Sequence, residues 1–190
     1  MEISEKNLER GVRLERMEAV VPVAEYMETC VDIPKFLGYC RECGNYGNRW
    51  SCPPFHEDPM DIWTRFHTLR LIAYTLPCET GGSVSQALAN LELAKARMME
   101  ETLELEHSMP GTLALSAGTC TLCGKDCTRP AGKPCRCPER MRYSIEALGG
   151  DVAKTAELYL NRPLLWIKDN RLPEYLTLVG GALLIQREEP

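Results

Sequence analysis

The chain has 190 residues and a mass of 21.4 kDa, enough for one sizeable core but not for two large domains. Hydrophobic residues make up 44% and charged residues 26%, the balance of a folded water-soluble domain, and no run reaches the roughly 18 uninterrupted apolar residues of a membrane helix. A net charge of −5 excludes a general phosphate-neutralising surface, so neither a membrane nor nucleic acid is an expected partner.

Residues 1–16 are charged throughout and carry no apolar signal core, so the expected location is cytoplasmic. The first forty residues read as a helical lead-in, because Leu8, Val12, Met17 and Val20 recur at about helical spacing and Pro22 interrupts the pattern. A short helix is expected over 24–30, with Asp32 capping the turn into Ile33-Pro34. Residues 38–55 hold Gly44, Gly47, Pro53 and Pro54 and read as irregular loop. Asp58 or Asp61 opens a short helix through Ile62, Trp63 and Phe66.

Residues 69–76 (LRLIAYTL) form a β-leaning apolar run closed by Gly81-Gly82. A strong helix follows over 83–105, with Val84, Ala87, Leu88, Leu91, Met98 and Leu105 on one stripe and the acidic run 100–106 on a solvated face. Met109-Pro110-Gly111 stops it, and 112–117 (TLALSA) reads as a second strand. Strand, long helix, strand is a βαβ unit, which favours parallel pairing. Residues 139–148 are expected to be helical up to Gly149-Gly150, and Asp151 caps a further helix to about Leu160. The apolar runs 164–167 and 176–185 fit a C-terminal antiparallel hairpin, unless Gly180-Gly181 is itself a tight turn. The expected fold is therefore α/β, one domain over 1–190. Its mixed sheet holds the βαβ unit and the C-terminal hairpin, and two cysteine-rich metal-binding loops occupy 38–56 and 119–138.

Ten cysteines without an export signal call for metal or redox chemistry, because a disulfide framework does not persist in a reducing cytosol. Only Cys30 and Cys78 stand alone. The second loop reads Cys120-x2-Cys123-x3-Cys127-x7-Cys135-x-Cys137-Pro138. Two cysteines separated by two residues direct both sulfurs to one centre, and later thiolates complete the four ligands of tetrahedral zinc or of a four-iron cubane. The closing Cys-Pro resembles the ligand run of bacterial ferredoxins, with wider gaps. From 119 to 142, Lys125, Arg129, Lys133, Arg136, Arg140 and Arg142 stand against Asp126 and Glu139, a basic island in an acidic chain. Cations there lower thiol pKa values and offset the charge of a thiolate-bound cluster.

The first loop, Cys40-x2-Cys43-x8-Cys52-Pro53-Pro54, offers three thiolates among Tyr39, Tyr46, Trp50 and Phe55, whose rings shield a cluster from water. Its fourth position has several candidates: Cys30, a second-loop cysteine such as Cys137 crossing over, His56 in a Cys3His zinc site, or none. His67 and His107 read as surface residues, Trp63 and Trp166 as core, Cys78 as an ordinary half-buried thiol, and Gly81-Gly82-Ser83 as a helix cap. No Ser-His-Asp or paired-carboxylate constellation is present.

The stretches FLGYCRECGNYGNRWSCPPF and GTCTLCGKDCTRPAGKPCRCPERMRYSIEALGGDV, with the ending LPEYLTLVGGALLI, resemble a prokaryotic family of cysteine-rich, predicted metal-binding proteins. The shared motifs are Cys40, Cys43 and Cys52 with Tyr46-Gly47 and Pro53-Pro54, then Cys120, Cys123, Cys127 and Cys135 with Gly132, Pro134, Arg136 and Pro138. Cys30, Cys78 and Cys137 fall outside that pattern. The resemblance implies metal binding, iron–sulfur in kind, and occurrence mainly in anaerobic bacteria and archaea; it implies no reaction. The expected function is an iron–sulfur protein in electron transfer or as a redox accessory. It would carry one or two [4Fe–4S] clusters on Cys120, Cys123, Cys127 and Cys135 and on Cys40, Cys43 and Cys52, and would meet a redox partner protein or a small-molecule substrate. Two alternatives stand beside it. One is an enzyme with an open-coordination [4Fe–4S] site at the three-cysteine loop; the other is a zinc-stapled interaction module.

Overall fold

A computed structural model of the chain describes residues 2–7, 13–79 and 81–186. Strand β1 (Glu2–Asn7) and strand β2 (Arg13–Pro22) form an antiparallel hairpin, where the helical lead-in was expected. Leu8 and Val12, on which the helical spacing leaned, lie outside the described residues. Within β2 the deciding pattern is alternation: Met17, Ala19 and Val21 are buried on one face, as a period of two demands.

Helix α1 (Val23–Cys30) follows as expected, and α2 (Ile33–Glu42) begins where Asp32 Oδ1 accepts the Lys35 N–H at 3.1 Å. After the first cysteine loop, Asp58 caps α3 (Pro59–Thr64) by accepting the Met60 N–H at 2.9 Å. Strand β3 (Thr68–Pro77) leads into the long helix α4 (Val84–Ser108), capped by Ser83, and then the three-residue strand β4 (Leu113–Leu115). Asp151 caps α5 (Val152–Leu160), and β5 (Tyr175–Leu184) closes the sheet.

Among the described residues the strand order is β1-β2-β3-β5-β4, with every neighbouring pair antiparallel. Strands β3 and β4 thus run the same way across helix α4, but β5 lies between them. The α/β class with two cysteine-rich loops is as the sequence leads one to expect, and the parallel pairing inside the βαβ unit is corrected. The sheet is covered on both faces. Met17, Leu69, Leu71, Leu115 and Val179 pack with Tyr26, Trp63, Ile145 and Leu148 on one side. On the other, Leu14, Ile72, Tyr74 and Leu76 meet Ala94 and Met98 of α4. Burial of both faces explains why β3 reads as an unbroken apolar run.

Three further expectations give way to tertiary pairing. Residues 139–148 do not form the expected helix: 139–140 are a turn, the Ser116 N–H donates to Tyr143 O at 2.8 Å with Ser144 bridged to Ser116, and only a 3-10 turn, Glu146–Leu148, is helical. The C-terminal hairpin does not form: 164–167 is loop, Trp166 is 66% exposed rather than core, and β5 pairs with β3 and β4 instead. The acidic run of α4 is not wholly solvated either, since Glu101 accepts from Arg16 and Tyr74, and Glu106 pairs with Arg142. No described helix is long and apolar enough to cross a membrane.

Gly180-Gly181 is not a turn but mid-strand. A Cβ on Gly180 would lie 2.8 Å from Leu115 O and 2.9 Å from Met98 Sδ, so this glycine sets how closely β4 and α4 approach β5. Gly180→Ala is expected to lower stability by about 1–3 kcal/mol, the cost of overpacking a closed site. Urea unfolding checks this, and an unchanged midpoint would contradict the placement.

Candidate metal centre

The first loop begins inside a helix. Cys40 sits in the last turn of α2, the Cys43 N–H donates back to Cys40 O at 3.0 Å, and the Tyr46 N–H donates to Cys43 O at 3.0 Å. Gly47, at φ +69°, then reverses the chain, and its N–H reaches Pro53 O at 2.8 Å. These successive turns bring Cys52 back to Cys40 and Cys43. Burial, followed by the charges of Cys52 and Cys43, pushes the Cys40 thiol above the ordinary range.

The second loop follows β4. Cys120, Cys123, Cys127, Cys135 and Cys137 all line one recess with a cavity volume of about 10 Å³. Its remaining wall includes Leu122 and Met141 from the same loop and, from the first loop, Arg49 and Trp50. Burial raises the Cys120 thiol, helped by the charges of Cys135 and Cys123 and opposed by the Leu122 N–H. Cys127 goes the other way. Burial alone would raise it, but the backbone N–H groups of Arg129 and Trp50 and the Arg49 guanidinium together hold it below the ordinary range. Cys137 stands in hydrogen-bond contact with Cys123, so the geometry places it with the other four although the family pattern omits it. Among the described residues, no three His, Cys, Asp or Glu side chains converge closely enough to hold a single metal ion.

The two loops are knitted together. Arg129 donates to the carbonyls of Arg49, Cys52 and Pro54, and its guanidinium lies 5.4 Å from the centre of the Trp50 ring. Arg49 returns a hydrogen bond to Gly124 O, and Trp50 Nε1 donates to Thr128 Oγ1 at 3.4 Å. The Cys120 N–H donates to Ser51 Oγ at 2.9 Å, while Cys52 Sγ and Thr119 Oγ1 are 3.2 Å apart. Lys95, from α4, donates to Thr119 O at the same junction.

Other sequence candidates fall elsewhere. Cys30 is buried in the core, where its carbonyl accepts the Asp151 N–H at 2.7 Å. His56 is exposed and lines a separate recess with Gly47, Phe55 and Arg129. Cys78 is half-buried in a cleft with Ser83 and Gln86. Sequence reasoning missed Arg49, Thr119 and Lys95, whose roles depend on contacts between distant segments. It also missed Glu146, which it had placed in a helix. Burial holds the Glu146 carboxyl above the usual carboxylate range, against its own N–H, the Ser144 hydroxyl and Lys95.

With this geometry established, the chain is assigned to the predicted metal-binding protein family DUF2284, whose pattern matches residues 27–184. No curated protein and no solved structure matches it.

In metal-free protein, the Cys127 thiolate persists to lower pH than that of Cys120, so iodoacetamide is expected to modify Cys127 first at neutral pH. Arg49→Gln should move the Cys127 profile to higher pH and leave that of Cys78 in place. Peptide mass spectrometry reads both; equal rates at Cys127 and Cys120 would contradict the assigned environments.

Proposed function

We propose that this is an iron–sulfur protein acting in electron transfer or as an accessory to a redox enzyme. Cys120, Cys123, Cys127 and Cys135 would hold one [4Fe–4S] cluster, with Cys40, Cys43 and Cys52 contributing to a second centre. The observation that carries the proposal is the gathering of five second-loop thiols on one recess, against the loop that carries Cys40, Cys43 and Cys52. Five thiols exceed the four that a single zinc ion takes, and with the first loop they supply enough thiolates for two four-iron centres.

When bound, the clusters would supply one-electron chemistry. The chain's own residues do the rest. Arg49 and the N–H groups of Trp50 and Arg129 meet Cys127, and hydrogen bonds and positive charge at a ligand sulfur raise a cluster's potential. Trp50, Leu122 and Met141 restrict water in the recess. The contact between Cys52 Sγ and Thr119 Oγ1, one residue before Cys120, supports a short path between the two centres. Lys125, Lys133, Arg136 and Arg140 are all exposed on or beside the second loop. That cationic rim suits a redox partner with an acidic docking face.

Protein purified without oxygen is expected to bleach on adding dithionite and to show an electron paramagnetic resonance (EPR) signal from reduced clusters. Cys120→Ser and Cys127→Ser should each remove roughly half of the iron, as loss of one of two four-iron clusters requires. Cys78→Ser should leave it intact. Iron that resists reduction, or iron loss spread equally over all three variants, would defeat the proposal.

A further inference from the structure

Three thiolates leave one position of a four-iron centre without a cysteine. Among the sequence candidates for that position, Cys30 lies in the core, Cys137 stands beside Cys123, and His56 is exposed on a recess with Gly47, Phe55 and Arg129. A different group stands at the first loop. Glu146 opens the 3-10 turn Glu146–Leu148, which packs against α2, the helix that carries Cys40. The next turn residue but two, Gly149, is so close to the start of α2 that a Cβ there would lie 2.8 Å from Ile33 Cα. Glu146 also lies two residues past Ser144, which bridges to Ser116, and that segment runs on to Thr119, whose Oγ1 is 3.2 Å from Cys52 Sγ; its charge adds to the rise of the Cys40 thiol.

Its carboxylate is incompletely satisfied. The Ser144 hydroxyl and the residue's own N–H serve it, yet Oε2 is sealed from solvent with no hydrogen-bond partner among the described residues. Lys95, the cation nearest in effect, gives a hydrogen bond to Thr119 O. A buried carboxylate oxygen without a partner leaves its desolvation uncompensated, and a cation held at that oxygen would offset it.

Resting on the proposal that Cys40, Cys43 and Cys52 hold a metal centre, we infer that Glu146 supplies its fourth protein ligand, through Oε2. The centre would then have three soft thiolates and one hard oxygen. Oxygen binds iron of a cluster less firmly than thiolate does, so the iron at Glu146 is the one that exchanges its ligand.

The test uses full-length protein purified without oxygen: wild type, Glu146→Gln, Glu146→Cys, and Glu157→Gln as an exposed control. Iron, zinc and sulfide per chain are measured with EPR spectra of the oxidised protein, and circular dichroism reports folding. Glu146→Gln should lose about one iron per chain and show the signal of a three-iron cluster, the product expected when one iron of a cubane lacks its ligand. Glu146→Cys should restore the iron and abolish that signal, and Glu157→Gln should match wild type. Wild-type iron and spectra in Glu146→Gln would overturn the inference while leaving the iron–sulfur proposal standing. If wild type instead holds zinc without sulfide, the iron–sulfur proposal falls. Glu146 then stands as a ligand only if Glu146→Gln gives up zinc to a chelator faster than wild type and Glu146→Cys does not. Should Glu146→Gln fail to fold, Glu146→Cys decides: exchanging oxygen for sulfur at the centre must change its spectrum, and an unchanged spectrum overturns the inference.

Discussion

Arg129 reaches out of the second cysteine loop and donates to three backbone carbonyls of the first, those of Arg49, Cys52 and Pro54. A guanidinium suits this task because its planar fork presents several fixed donors at once, which a lysine does not. Two irregular loops, about seventy residues apart in the chain, are thereby held in one geometry. Irregular backbone carries many polar groups without regular partners, so such loops need an external scaffold. Here each loop is part of the other's scaffold. Arg49 and Trp50 become the wall of the second-loop recess, and Thr119 comes to rest against Cys52. Metal entering either loop would therefore help to order both, since binding free energy at a flexible site is also folding free energy.

The sheet sets the places from which those loops depart. Strand β4 delivers the chain directly to Thr119 and Cys120, while α1, packed beside β2, leads into α2, whose last turn carries Cys40. Helix α4 crosses the opposite face and contributes Lys95 to the junction. The insertion of β5 between β3 and β4 depends on Gly180, which leaves room for the Leu115 carbonyl and the Met98 sulfur. The site therefore depends on tight packing remote from any cysteine.

Local signals were legible in the sequence wherever local chemistry decides the structure. Asp32, Asp58, Ser83 and Asp151 cap the helices they precede, and the cysteine spacings mark both loops. Non-local pairing hid the rest. The spacing of Met17 and Val20 suits a helix as well as it suits a strand, and only the hairpin with β1 decides. The segment 139–148 has helical composition, but the bond from the Ser116 N–H to Tyr143 O interrupts it, and Trp166 is exposed because no strand forms at 164–167. At the site, cysteines declare themselves by type and spacing. An arginine that bridges two loops, or a glutamate that folds back under α2, carries no such mark.

The central claim is that the two loops form one adjoining pair of cluster sites in a member of a metal-binding family. Iron, zinc and acid-labile sulfide per chain, measured on protein kept free of oxygen and read beside the visible absorption spectrum, test it most directly. The account predicts about eight iron and eight sulfide, or seven to eight iron if the Glu146 position is labile, with a broad sulfide-to-iron band. Stoichiometric zinc with no sulfide would contradict it and leave the knitted loops as a metal-stapled binding surface.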